Sequence, residues 1–454
     1  MQGMLFPICN GCLPRLVRQR TIGLLYQVVK IINRVLFPIQ GRSSAFCAVA
    51  ALILIQLLFA NCRMNQPTDS PTATRHESDG NKSASSIHQR AIIIDMHTDT
   101  TQRLVDEQLD IATRLSDGHF DTVRAKEGGL DAQFFSIWVE PQLFGGGGAG
   151  AIKRADDQIA AVRRLVDQHP ESWGLATSAD DVRRIASQGK MAALMGLEGG
   201  YAIDERLENV ERYYNMGVRY MSPAWSVSTT WAGSSGDQVG QTRGLNEFGK
   251  NVVREMNRLG MMVDVSHVSD KTFWDIINTS TKPIIATHSG CRAIANVPRN
   301  LDDEMIRAIA KGGGVICVLY YPAFIEPGWE EKKQAVDAEI ASLVLSASEA
   351  EPGDVAHKKM ARDRVRRDEY AKRLPPVGIA RLVDHIDYIV KLVGVDHVGI
   401  GSDFDGVQAT LSDLATVADL ENLTIELVRR GYSQVDIEKI LGGNVLRLME
   451  VVQK

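Results

Sequence analysis

The chain has 454 residues, 44% hydrophobic and 24% charged, with a formal net charge of −5 at pH 7. That length exceeds one small domain but suits a single large barrel with extensions. The composition is that of a globular protein, and the acidic balance argues against a nucleic-acid partner, which would favour a basic face.

The first 62 residues carry no Asp or Glu and six basic residues, Arg15, Arg18, Arg20, Lys30, Arg34 and Arg42. After Arg42 comes "AFCAVAALILIQLLFANC", Ala45 to Cys62. Its uncharged run of roughly 16 residues is short for a membrane span, which needs about 20, and suits the apolar region of an export signal. The run ends Leu58-Phe59-Ala60-Asn61-Cys62, which resembles a bacterial lipobox ending on a lipidated cysteine, although Asn61 is larger than the usual residue there. The competing reading is a plain N-terminal anchor with its basic flank inside. Both readings predict an exported bacterial protein, attached to the membrane and periplasmic or on the outer face. Residues 63–88, rich in Ser, Thr, Asn and Pro, read as a flexible tether. Residues 89–454 are then the folded domain. Only Cys291 and Cys317 fall there, and free buried thiols are expected.

Eight short apolar runs follow: "AIIIDMH" (91–97), "LDAQFFSIWV" (130–139), "MAALMGLEG" (191–199), "VRYMSPA" (218–224), "MMVDVSH" (261–267), "PIIATHS" (283–289), "GGVICVLY" (313–320) and "HVGIGSDF" (397–404). Amphipathic stretches such as "DQIAAVRRLVDQH" separate them. Short apolar strands alternating with helical patterns imply a parallel sheet, and eight such units imply an α/β fold, a (β/α)8 TIM-like barrel. A charged, helical insertion follows the seventh strand. It either caps the barrel mouth or is a solvated excursion with no part in substrate choice. The glycine-rich "FGGGGAGA" (144–151) reads as a flexible loop.

Polar residues gather at the C-terminal ends of these runs: His97 and Asp99 on the first, Glu198 on the third, His267 on the fifth, His288 on the sixth and Asp403 on the eighth. Each alone reads as a loop or capping group. Together they place acids and imidazoles from five strands on one face of a barrel, where sites are built. His97 and Asp99 are i and i+2 on a strand and can converge on one ion with a small backbone bend. Asp95 and Thr98 are given no ligand role. Three imidazoles and two carboxylates suit zinc or a similar metal. One ion leaves ligands spare; two ions bridged by a carboxylate use them all, clamp a hydroxide and polarise a carbonyl, which is hydrolytic chemistry. His397 reads as structural, His76 and His88 as tether residues, and His119, His169, His357 and His385 as loop or helix residues. No P-loop, dinucleotide fingerprint or G-x-S-x-G is present.

The ordered set "DMHTDT", "GLEGG", "VRYMSPAWSVSTTWAGSS", "DVSHVSD", "THSG", "NVPRN" and "DHVGIGSDFDG" resembles the membrane (renal-type) dipeptidase family over roughly residues 90–450. The resemblance implies two zinc ions per chain, one on His97 and Asp99, one on His267 and His288, with Glu198 bridging. It implies Asp403 as the acid/base, Arg299 as the holder of the substrate's carboxylate, and Tyr321 as a pocket residue for which neighbouring Tyr320 competes. It also implies a homodimer. One position departs: the family's substrate-side histidine, which stabilises the oxyanion, falls on Trp225, which has one N–H donor and no titration near neutrality.

The expected activity is zinc-dependent hydrolysis of dipeptides, including those with a C-terminal D-residue, by a metal-bridging hydroxide. With Trp225 in place, a related amide is the alternative: an N-acyl amino acid, a cell-wall dipeptide or a β-lactam. The remaining alternative is a lipid-anchored protein that binds metal without catalysis.

Overall fold

The computed structural model describes residues 83–454. The leader 1–62, Cys62 and residues 63–82 of the expected tether lie outside the described residues. No described helix is long and apolar enough to cross a membrane.

Among the described residues nine strands form: β1 (Ile94–Thr98), β2 (Ala132–Trp138), β3 (Trp173–Leu175), β4 (Met191–Glu198), β5 (Val218–Ser222), β6 (Met262–Val263), β7 (Ile285–Ser289), β8 (Val315–Val318) and β9 (Val398–Ile400). Eight coincide with the apolar runs of the sequence. They pair in parallel in the order β6-β5-β4-β2-β1-β9-β8-β7, and β3 pairs in parallel with the first residues of β4. The missing seam is closed by a parallel bridge between Asp264 and Ile285 and by the Val265 N–H donating to Ile285 O at 2.8 Å. The chain is therefore the expected (β/α)8 barrel. β3 is not among the eight apolar runs, because its three residues are too few to show a period.

Two apolar clusters hold the barrel. The smaller one joins Ile94, Phe134, Leu194, Tyr220, Met262, Ile285 and Val315, residues that only the barrel interior can bring together, with Val445 and Met449 of the C-terminal helix. The larger one packs the outer strand faces against the surrounding helices. Caps set where those helices begin. Asp121, Ser178, Asn246, Ser269 and Asp302 each accept a hydrogen bond from the N–H three residues on, which satisfies a helix-start donor and aims the helix back along the barrel.

The packed body begins before residue 89. Residues 83–88 are helical, with Ala84, Ile87 and His88 buried. The His88 ring bonds Thr424 Oγ1 at 2.7 Å and Gly128 O at 2.9 Å, so His88 fastens this segment to the barrel and does not belong to a solvated tether. Composition hides this, because one Ile and one His suffice for the anchoring. Cys291 and Cys317 are free and buried, as expected. The insertion after β8 folds as two helices, Trp329–Ala350 and Val355–Arg373.

Asp131, just before β2, accepts a hydrogen bond from Ile93 N–H at 2.9 Å, yet burial pushes its carboxyl up to about 6. A raised carboxyl favours the fold while protonated and loses that contribution as pH rises from the unfolded value through the folded one. Replacing Asp131 with Asn, whose amide oxygen can still accept from Ile93, should therefore stabilise the protein more at about pH 8 than at about pH 4, by about 1–2 kcal/mol in denaturant unfolding. An equal effect at both pH values would contradict this.

Candidate metal centre and substrate cleft

The strand ends deliver the predicted residues to one place. β4 ends on Glu198, β7 carries His288 and β1 carries His97. His267 and Asp403 lie just past β6 and β9, and both adopt left-handed backbone (φ 71° and 64°). For residues with a Cβ this conformation is costly and persists only where the surroundings impose it, commonly at functional sites. Sequence pattern cannot show it.

Asp99 occupies the N-cap of the helix Thr100–Asp106 but makes no capping hydrogen bond, which leaves its carboxylate for the site. The pairing of β1 with β2 is irregular between Asp95 and Thr98, the bend expected for His97 and Asp99 to converge. Asp95 turns to Ser402 and the main chain instead. It accepts from Ser402 N (2.7 Å), Ser402 Oγ (2.6 Å) and His97 N (3.2 Å), tying β1 to the turn that carries Asp403.

The five expected ligands crowd together. His97 Nε2 lies 3.2 Å from Glu198 Oε2 and 3.9 Å from Asp99 Oδ2. His267 Nε2 lies 2.8 Å and His288 Nε2 3.5 Å from Glu198 Oε1, and the two nitrogens are 3.0 Å apart. Three groups of side chains could each hold an ion: His97, Asp99 and Glu198; Glu198, His267 and His288; and His97, His288 and Asp403. His97 Nε2 and Asp99 Oδ1 are buried with no hydrogen-bond partner. Such orphans are costly, and one proton cannot serve so many converging lone pairs; a bound cation can. The donor set therefore fits metal.

Neighbours orient the ligands. His97 Nδ1 faces Tyr220 OH at 2.9 Å. The Tyr220 ring covers Gly196, where a Cβ would come within 2.0 Å of it. His288 Nδ1 faces Thr287 Oγ1 at 2.9 Å, and that hydroxyl donates to Asp264 Oδ2 at 2.8 Å. Because the Thr287 proton is committed to Asp264, its oxygen accepts from Nδ1–H, and Nε2 keeps its lone pair for an ion. Ser136 Oγ donates to Glu198 Oε2 at 2.9 Å. Gly406 has no room for a side chain: a Cβ would stand 2.1 Å from Asp99 Oδ2 and 2.5 Å from Asp403 Oδ1.

Charge is arranged to match. Burial disfavours a charged His97, but Glu198, Asp99 and Asp403 outweigh it and hold the ring at about 10. Burial, then Arg299, depresses His267 to about 4, and burial with His97 lowers His288. Burial raises Asp99, and Glu198 adds to the rise. Glu198 is held low despite burial, chiefly by His97. Burial raises Asp403 to about 7, with His97 opposing and Glu198 adding. The proton on His97 stands where a cation would serve three carboxylates.

A cleft of about 340 Å³ opens over the centre, lined by Asp99, Glu198, His267 and Asp403. Tyr321 lines it; Tyr320 does not and is fully buried. Trp225 also lines it, with its ring 4.7 Å from Trp138 and 6.2 Å from His267. Arg299 is buried beside the centre. It donates to Ser289 Oγ (2.9 Å) and His288 O (2.8 Å), and its Nε–H has no partner. The helix Val355–Arg373 turns Ala356, Lys359, Met360 and Arg367 to the cleft, so the insertion flanks the barrel mouth. His119, read from sequence as an ordinary loop residue, lines the cleft as well. Its Nδ1 accepts from Asp405 N–H at 3.0 Å, and burial lowers the ring to about 4. Nothing local in "SDGHFD" distinguishes it. His397 is structural, with Nδ1 at 2.9 Å from Gly314 O.

The family model described as "Membrane dipeptidase (Peptidase family M19)" matches residues 81–454. The chain is similar to the dipeptidase tcpJ of Claviceps purpurea, at 29% identity over 341 residues, 74% of this chain and 70% of that protein. It is similar to the crystal structure of the probable dipeptidase PvdM from Pseudomonas aeruginosa, with a TM-score of 0.68 and 29% identity, covering 83% of this chain and 99% of that one. It is also similar to a metallopeptidase from Rhodobacter sphaeroides liganded with a phosphinate mimic of L-Ala-D-Ala, with a TM-score of 0.64 and 25% identity, covering 80% and 99%.

The Asp264–Thr287–His288 relay yields a test. Thr287→Val removes the acceptor of Nδ1–H and should weaken metal binding about 10- to 100-fold in chelator competition. Thr287→Ser should bind as wild type. Equal affinity of the Val variant would contradict the relay.

Proposed function

The chain belongs to the membrane dipeptidase family, peptidase family M19, and is a metal-dependent dipeptidase, a hydrolase; on that premise we propose that it works with two zinc ions per chain on dipeptides, including those with a C-terminal D-residue. The observation that carries the two-ion reading is Glu198. Its Oε2 faces His97, and its Oε1 faces His267 and His288. A carboxylate whose two oxygens face separate sets of ligand side chains could bridge two ions. The D-residue reading is supported by the dipeptide mimic bound in the Rhodobacter sphaeroides relative.

His97 and Asp99 would hold one ion, His267 and His288 the other, and Glu198 both. When bound, the ions supply Lewis acidity and lower the pKa of water. The chain's own residues do the rest. Arg299, buried beside the centre with its Nε–H unpartnered, would hold the substrate's carboxylate by a charge-assisted bond that selects a short peptide's end. Asp403, raised to about 7, can take a proton at neutral pH and release it again. It receives the proton of the attacking water and returns it to the amine as the C–N bond breaks. Trp225 and Trp138 form an aromatic wall, which excludes water from one side of the cleft and replaces an imidazole with a surface that carries no charge.

The test pairs metal content with hydrolysis of dipeptides of both C-terminal configurations, with and without chelator. The expected result is two ions per chain and turnover that chelation abolishes and zinc restores. Metal-replete protein inert on every dipeptide would overturn the proposal. Asp403→Asn should lower kcat about 100-fold or more with metal content unchanged. Loss of metal in that variant would make Asp403 a ligand instead.

A further inference from the structure

A dipeptide is a zwitterion, and the cleft needs an anion for its amino end as well as a cation for its carboxylate. Nearly all of the carboxylates that line the cleft are committed. Asp99, Glu198 and Asp403 belong to the metal centre. Asp106 is paired with Arg154 at 2.5 Å, Asp363 with Lys359 at 2.6 Å, and Glu107 and Asp117 with Arg103 at 2.8 and 2.6 Å. Asp405 accepts from Thr100 Oγ1 at 2.8 Å and His119 N–H at 2.7 Å.

Glu140 is what remains. Among the described residues it makes no side-chain hydrogen bond and no ion pair, and its Oε2 is buried without a partner. It stands two residues beyond Trp138, the residue of β2 that pairs with Glu198. Two residues of extended chain rise about 6.6 Å, which puts Glu140 above the metal centre towards the mouth. The same corner already accommodates an ammonium: Lys359 Nζ lies 5.6 Å over the Trp138 ring. Aromatic faces attract cations, and a partly buried carboxylate without a partner is costly until a donor reaches it.

We infer that Glu140 binds the free α-ammonium of the substrate, against the faces of Trp138 and Trp225. The inference rests on the dipeptidase reading and extends it: the preferred substrates carry an unblocked amino terminus. Glu140 closes an apolar run in the sequence and carries no motif, so only the pairing of its neighbours exposes it.

The experiment compares Glu140→Gln with wild type, both zinc-loaded, on a dipeptide and on its N-acetylated form. The variant should raise KM for the free dipeptide about 10-fold or more, leave kcat and zinc content near wild type, and leave kcat/KM for the acetylated form unchanged. Glu140→Asp, which keeps the charge, should recover part of the loss. An active wild type with an unaffected Gln variant, or equal losses on both substrates, overturns the inference alone. A wild type inert on every dipeptide overturns the proposed function and this inference with it.

Discussion

The site depends on one buried carboxylate that cannot be satisfied by protons alone. Glu198 ends β4 with both oxygens enclosed, one against His97 and the other against His267 and His288. Burial of such a charge is tolerated only with compensating positive charge, and the surrounding imidazoles can carry very few protons at 3.0 Å separation. Bound metal would resolve the conflict. The remaining features follow as means of holding five side chains on that point: strand ends that converge, ligand rings pinned through Nδ1, and glycines where a Cβ would intrude.

The barrel supplies the convergence and local strain supplies the aim. His267 and Asp403 are held in left-handed backbone. The His267 carbonyl receives the Ser235 N–H at 2.8 Å and the Ser235 hydroxyl at 3.1 Å. The Asp403 N–H donates to His97 O at 3.1 Å. These bonds over-determine the turns and offset their cost. Asp95, which carries no ligand role, anchors the same turn to β1, so one carboxylate outside the metal set fixes the relative position of His97 and Asp403.

Much of this was legible in the sequence. Eight apolar runs define the barrel, and the five that lead into His, Asp or Glu carry the expected site residues, because strand period and chain order bring those ends together. What was not legible depends on distant packing. His119 reaches the cleft only because Asp405 receives its loop. His88 is ordered by Thr424, far away in sequence. Tyr320 and Tyr321 both lie past the end of β8, where polarity alone does not show which one lines the cleft. The insertion's charge pattern leaves capping and solvation open until its cleft-facing residues are seen. Trp225 was visible as a departure, but its partnership with Trp138 was not.

The central claim is that Glu198 bridges two ions. Anomalous diffraction from crystals of the native protein at the zinc edge tests it directly. The account predicts two peaks in each chain, one between His97 and Asp99, one between His267 and His288, with Glu198 touching both. A single peak, or two peaks with Glu198 bound to only one, would contradict it.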